Sequence, residues 1–374
     1  MAYLSHILTL VVYYLFAVNA TGLTLPPPTG KHDVGTIELE LVDHSRINPF
    51  AGNSSSPGPR AFMVQLFYPA KNAHKYPLAP YMGPGTAAFY DLGFGLPNGT
   101  MSLIQTNSHT GAPIKSSGDT QLILFSTGYG VSRTLYTTLA ENLASHGYLV
   151  ASIDHPYDAT VVEFPDGSLI NLDTTVNMDD PATVLKILDI RVKDTQFTLD
   201  LLRSNLTKSI PGVRTRLKIQ ETGMFGHSLG GATAAELMLT ECRISGGLDL
   251  DGSIQGEAIE KGLSKPFLLM GVPSHNLDSD PSWASFWAHL TGWRRSLVLA
   301  GAEHFTYSDM PPVAALFGFV PDALASVLGT IDGTRANELE RAYILAFFNF
   351  VLRGESDSLF DGPSPLYPEI SFQS

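Results

Sequence analysis

Residues 226–230 read Gly-His-Ser-Leu-Gly, a spacing that can expose a serine hydroxyl at a sharp backbone turn. In a chain with 34 glycines the bare pattern arises by chance roughly a quarter of the time, so its context decides. Ahead of it stands a short apolar stretch ending in Met224-Phe225. Behind it, residues 231–239 (GATAAELML) read as a helix whose small residues allow close packing on a sheet. Strand, turn and helix with serine at the turn make a nucleophile elbow, in which Gly226 and Gly230 let the chain reverse. Ser228 is therefore expected to be a nucleophile. The helix start beneath it offers partial positive charge to a developing oxyanion.

A serine hydroxyl needs a base, and the base needs an orienting acid. After a serine of this kind the acid and then the histidine follow along the chain. His275, His289 and His304 are the histidines beyond the elbow. His304 follows the apolar run SLVLA and a Gly301-containing turn, the place for the base. His289 sits in a Trp-rich stretch and reads as packing, and His275 as surface loop. For the acid, Asp249 and Asp251 end the run GGLDLD, and Asp278 and Asp280 follow the run FLLMG. Asp251 stands at a strand end before Gly252, on the edge where active sites collect. Asp249, two residues deeper, could instead be a structural acceptor. Two backbone N–H donors must face the oxyanion. Leu229, after the nucleophile, supplies one. Tyr129, between Gly128 and Gly130, is the candidate for the other.

These residues need a scaffold that brings them together. Residues 36–42 alternate apolar and polar, and residues 61–68 (AFMVQLFY) form a second strand, hairpin-like with the first. Short, fully apolar runs then alternate with helices. The runs are 121–126, 148–153, 223–226, 246–251, 267–271 and 296–300, and the helices are 136–145, 185–202, 231–239 and 338–352. That rhythm predicts an α/β fold of the α/β-hydrolase type. Its central sheet should be mostly parallel, covered by helices on both faces, with an antiparallel start. Residues 21–374 are expected to form a single domain, with insertions near 70–118 and 156–184. The first insertion lacks clean periodicity and could border a substrate cleft.

Composition narrows the function classes. With 44% hydrophobic residues the chain can bury an ample core. The 23 basic and 36 acidic residues give a net charge of −13, which argues against nucleic acid or an anionic membrane held by bulk charge. The lone Cys242 excludes an intramolecular disulfide framework and a zinc site of several thiolates. Residues 1–20 (MAYLSHILTLVVYYLFAVNA) carry an apolar run of signal-peptide length ending in Val18-Asn19-Ala20, which predicts a leader and secretion. Asn53, Asn98 and Asn205 begin N-x-[ST] glycosylation triplets. No later run is long enough to span a bilayer, so no stable membrane insertion is expected.

The stretches MVQLFYPA (63–70), 122–155, GHSLGGATAAELM (226–238), LDLDGS (248–253) and LAGAEHFTYSD (299–309) together resemble the platelet-activating factor acetylhydrolase family. The resemblance implies a secreted serine-dependent phospholipase or esterase without a metal or organic cofactor. It places Ser228, Asp251 and His304 on the family's triad positions and Tyr129 and Leu229 on its oxyanion positions, lifting Asp251 above Asp278. Thr127-Gly128 stands where animal plasma members carry His-Gly, and residues 155–168 look like the microbial and fungal branch. The implied substrate is a small ester or a phospholipid with a short sn-2 acyl group. An esterase or lactonase acting on a secondary metabolite or polyester keeps the same triad. A non-catalytic binding protein on this scaffold is the reading from another class. Neither charge nor spacing addresses oligomeric state.

Overall fold

A computed structural model describes residues 23–50, 58–115, 119–319, 321–356 and 358–373. The expected leader 1–20 and the Asn53 triplet lie outside the described residues.

Alternate side chains of each central strand feed opposite faces of one sheet. In β6 (Asp119–Ser126), Leu122 and Leu124 pack with Met224, Leu199 and Leu237 on one side. Ile123 and Phe125 pack with Phe225, Leu139 and Phe347 on the other. Burying each such leucine contributes about 2 kcal/mol. Because both faces are covered, these strands read as continuous apolar runs rather than alternating ones.

The sheet has twelve strands in the order β1-β5-β2-β3-β7-β6-β10-β11-β12-β13-β14, with β4 paired to β5. The N-terminal part comprises β1 (Leu23–Thr24), β2 (Val34–Ile47), β3 (Pro59–Pro69), β4 (Leu78–Pro80), helix α1 (Pro84–Gly93) and β5 (Ile104–Thr110). β2 and β3 are antiparallel, and β3 runs antiparallel to β7 (Leu149–Ile153). The parallel core is β7, β6, β10 (Lys218–His227), β11 (Ile244–Leu250), β12 (Phe267–Gly271) and β13 (Arg294–Leu299). β14 (Ile370–Gln373) closes the far edge antiparallel to β13. This is the mixed sheet with an antiparallel start that the patterning predicts. A separate hairpin is formed by β8 (Val161–Glu163) and β9 (Leu169–Asn171).

Helices α2 (Thr137–Ser145) and α9 (Gly333–Arg353) cover one face, and α3 (Pro181–Leu202) and α4 (Leu229–Thr240) the other. Asp180 caps α3 through the amides of Ala182 and Thr183, with Pro181 at the first helical position. Gly354, left-handed at φ 68°, ends α9. Shorter helices α5 (Ala258–Lys261), α6 (Pro281–His289), α7 (Met310–Leu316) and α8 (Pro321–Leu328) sit on the connections after β11, β12 and β13.

Residues 70–118 contain more order than their composition suggests. They supply α1 and two strands of the main sheet. The polar strand β5 is anchored from outside, by hydrogen bonds from the Asn107 amide and the Ser108 hydroxyl to Glu141 of α2.

Candidate active site

Ser228 sits at the junction of β10 and α4 with φ 56° and ψ −125°, a conformation costly for any residue with a Cβ. Its surroundings enforce it. A Cβ on Gly226 would lie 2.1 Å from the Gly230 carbonyl carbon, and one on Gly230 would lie 2.0 Å from the Ser126 carbonyl oxygen. The Ser228 N–H donates to the Leu250 carbonyl at 2.8 Å, tying the turn to the neighbouring strand. Asp251 also has a positive φ, 58°, at the end of β11, and its N–H donates to Met270 at 2.8 Å. Two of the four described non-glycine residues with positive φ are thus Ser228 and Asp251.

His304 opens a short helical turn after β13, at Glu303–Thr306, where Glu303 and Thr306 cap one another. Its Nδ1–H donates to Asp251 Oδ2 at 2.6 Å. The other oxygen of Asp251, Oδ1, accepts from Nδ1–H of His275 at 2.9 Å, and His275 Nε2–H reaches Asp280 Oδ2 at 2.6 Å. Burial alone would raise the Asp251 pKa, but the hydrogen bonds from His275 and His304 outweigh it and hold the carboxyl below its ordinary range. Asp249, two residues earlier, goes the other way. It is fully buried, and the loss of solvent pushes its pKa well above the usual carboxylate value. It accepts the Gly252 N–H at 3.1 Å.

Reading His275 as a surface loop residue is therefore corrected. It faces Asp251 across a tight 272–275 turn and packs on the buried Trp283 ring at 4.7 Å. The fixing group is Asp280, which also caps α6 through the Ser282 and Trp283 amides. That helix start, Asp-Pro at 280–281, is the sequence signal that could have drawn attention to this loop. Asp278 is exposed and lies outside the cleft-lining set. His289 bonds to the carbonyls of Ser285 in its own helix and of Ile259 in α5, and takes no part in the site.

The serine and this histidine pair share one open cleft of about 430 Å³, whose walls include Tyr129, Met178, Val184, Leu229, Gln255 and Val272. Ser228 and His304 make no direct hydrogen bond to each other. Tyr129 and Leu229 flank the serine, and neither backbone N–H has a protein acceptor among the described residues. The loop carrying Tyr129 is held from beneath. The Gly130 N–H donates to the Asp158 carbonyl at 2.9 Å. Buried Arg191 of α3 grips the Asp158 carboxylate through two nitrogens and donates to the Thr127 carbonyl. His155 bridges Ser126 to Asp194, which Arg60 neutralises at 2.7 Å.

A second link was hidden in the variable position of the elbow motif. His227 Nε2–H donates to the His304 carbonyl at 2.9 Å, while its Nδ1 accepts from the Tyr136 hydroxyl at 2.8 Å. Tyr136 in turn accepts the Gly128 N–H at 3.2 Å. Burial, and then the nearness of His304, lower the His227 pKa to about 3, so it remains a neutral spacer between the two loops.

Among the described residues of 70–118 none lines this cleft. The segment helps instead to wall a separate apolar cavity of about 310 Å³, with Phe94, Leu96, Met101, Leu135, Met310 and Phe317 among its lining.

Comparisons with known proteins agree with this architecture. Residues 20–164 match the family model described as platelet-activating factor acetylhydrolase, isoform II. A probable 1-alkyl-2-acetylglycerophosphocholine esterase of Arthroderma benhamiae is 31% identical, over 94% of each chain. A platelet-activating factor acetylhydrolase of Bos taurus is 22% identical, over 88% of this chain and 78% of its own. Among solved structures, a ferulic acid esterase from Streptomyces cinnamoneus superposes with a TM-score of 0.81 at 33% identity, covering 95% of this chain and 100% of its own. With an elbow serine on the α/β-hydrolase fold and relatives that are esterases along nearly their whole length, the chain belongs to the platelet-activating factor acetylhydrolase family and is a carboxylic ester hydrolase.

Proposed function

We propose that Ser228, His304 and Asp251 form the catalytic triad of a secreted esterase that removes short acyl groups, such as the sn-2 acetyl group of platelet-activating-factor-like phospholipids. The observation that carries the triad is the 2.6 Å contact from His304 Nδ1 to Asp251 Oδ2, made beside a serine held at φ 56°. With Nδ1–H committed to Asp251, Nε2 is the nitrogen left to take the serine proton. The alkoxide attacks the acyl carbonyl, and the Tyr129 and Leu229 amides hold the oxyanion. His304, now an imidazolium stabilised by Asp251, returns the proton to the leaving alcohol, and water then releases the acid from the acyl-enzyme. No metal or organic cofactor enters these steps.

The substrate class rests on the Arthroderma relative's name and its 94% coverage. A second reading rests on the Streptomyces structure: an aromatic carboxylic ester would be the substrate, on the same triad. Hydrolysis of a 2-acetyl phospholipid, a long-acyl phospholipid and methyl ferulate by wild type and Ser228→Ala separates the readings. Preference for the acetyl phospholipid supports the first, preference for the ferulate the second, and equal rates for the two proteins remove the serine mechanism.

Secretion is proposed from the 1–20 leader as part of a single-domain plan. The exposed turns that carry Asn98 and Asn205 support glycan access, and no helix among the described residues is long and apolar enough to cross a membrane. Expression through a secretory host should give an N-terminus at Thr21 and a mass that falls on glycosidase treatment.

A further inference from the structure

His275 is the histidine lining the cleft that the proposed mechanism does not use. Both of its ring nitrogens face carboxylate oxygens, Nδ1 on Asp251 and Nε2 on Asp280. An ionised carboxylate can only accept, so both nitrogens must carry protons and the ring is a cation. With Nε2 occupied by Asp280 it cannot serve as the base for Ser228. Its place is rigid. The ring lies on Trp283, whose indole N–H donates to the Gly252 carbonyl at 2.6 Å, and the 272–275 turn is closed by reciprocal backbone hydrogen bonds. Asp251 is thus shared, one oxygen to each histidine.

We propose that His275 is a positioning residue that fixes the second oxygen of Asp251 and, as a permanent cation, opposes the second positive charge that His304 acquires with the serine proton. This rests on the Ser228–His304–Asp251 reading. Asp251 alone would both orient His304 and favour its protonated form. A charge of opposite sign on the far oxygen preserves the orientation while weakening that pull. The surroundings agree. Burial alone would lower the His275 pKa, but its hydrogen bonds to Asp251 and then Asp280 raise it to about 10. The other groups nearby leave His275 as the cation of the cluster. Burial pushes the Asp249 carboxyl below toward its neutral form, and His227 beside the His304 ring is neutral. Glu303 caps its own turn on the cleft wall. Ser253 donates to Asp280, and the Tyr307 hydroxyl donates to the Gly271 carbonyl. Arg191 reaches this side only through its field at His227.

The test is the pH profile of kcat/KM on a short-acyl nitrophenyl ester for wild type, His275→Gln and Ser228→Ala. Glutamine keeps a donor for Asp251 but removes the charge. The expected result is an acid limb displaced upward by about one pH unit, with KM within about twofold and the plateau kcat reduced less than about tenfold. A merely structural histidine would change the plateau or the melting temperature and leave the limb where it is, and that result overturns the proposal. If His275→Gln does not fold, nitrogen NMR of histidine-labelled wild type decides. His275 must keep both ring protons from pH 5 to 8.5, and a neutral ring at pH 7 overturns the proposal. An active Ser228→Ala protein would overturn the triad reading and this inference together. An inactive one beside an unmoved limb overturns this inference alone.

Discussion

Two clusters of ionised side chains flank the Ser228 turn, and they are built from different cations. Beneath the Tyr129 loop the positive charges are the guanidinium groups of Arg60 and Arg191, fully buried and paired with Asp194 and Asp158. On the other side the positive charge is the His275 imidazolium, whose side chain is 20% exposed, and the carboxylate it holds is shared with His304, 42% exposed. An arginine keeps its charge at any pH the protein meets, and its planar fork fixes two partners at once. An imidazole gains and loses a proton near neutrality. The division follows the task. The loop proposed to offer a fixed amide to an oxyanion is held by charges that do not titrate. On the side proposed to move a proton, one imidazole, His275, is held charged between two carboxylates, and the other, His304, is tied to Asp251 through Nδ1.

The comparison breaks most sharply at Asp251. Asp251→Asn should leave the fold intact and lower kcat by about 10⁴-fold, because His304 loses its orientation and tautomer. A loss of tenfold or less, measured on a nitrophenyl ester, would move the acid role elsewhere. Arg191→Met should act on stability as well as rate. It strands the buried Asp158 carboxylate, at a cost of about 3–5 kcal/mol in denaturant unfolding. It also frees the Thr127 carbonyl, with kcat down about 100-fold. Arg191→Lys should not restore either, since one ammonium cannot grip Asp158 and the loop together. A stable, fully active Met variant would mean that the loop holds itself.

The smallest effect is expected at Asp249. Its raised pKa means that folding favours the protonated form. The stability it contributes is fully present below the unfolded carboxylate pKa of about 4 and is lost as pH rises through the folded value. Asp249→Asn keeps a neutral group of the same shape. Its unfolding free energy should stay within about 1 kcal/mol of wild type at pH 7, and its stability should decline less on the alkaline side. A large loss at pH 7 would show that Asp249 works as a carboxylate.

What was legible in the sequence follows from how local each signal is. β12 runs over Phe267–Gly271, the same five residues that read as a buried run, because a strand covered on both faces announces itself in composition. The elbow was legible because the turn, its glycines and the small-residue helix are contiguous. Strand β5 was not. Its seven residues, IQTNSHT, carry no apolar pattern, and Glu141 satisfies them from 34 positions away. The same distance hid the second histidine. His275 lies 24 residues from Asp251, and only the folded chain brings Asp280 round to hold its far nitrogen. His227 was hidden differently, since the motif treats its position as free while the fold uses it to join two loops.

The serine's backbone angle has a practical consequence for anyone improving this enzyme. A side chain held at φ 56° stores strain of the order of 1–2 kcal/mol, which glycine at the same place would largely release. A Ser228→Gly protein should therefore resist heat better than the parent while hydrolysing nothing. Any screen that rewards thermal endurance alone will select for the loss of the proposed nucleophile, so libraries built on this scaffold must be sorted on turnover first.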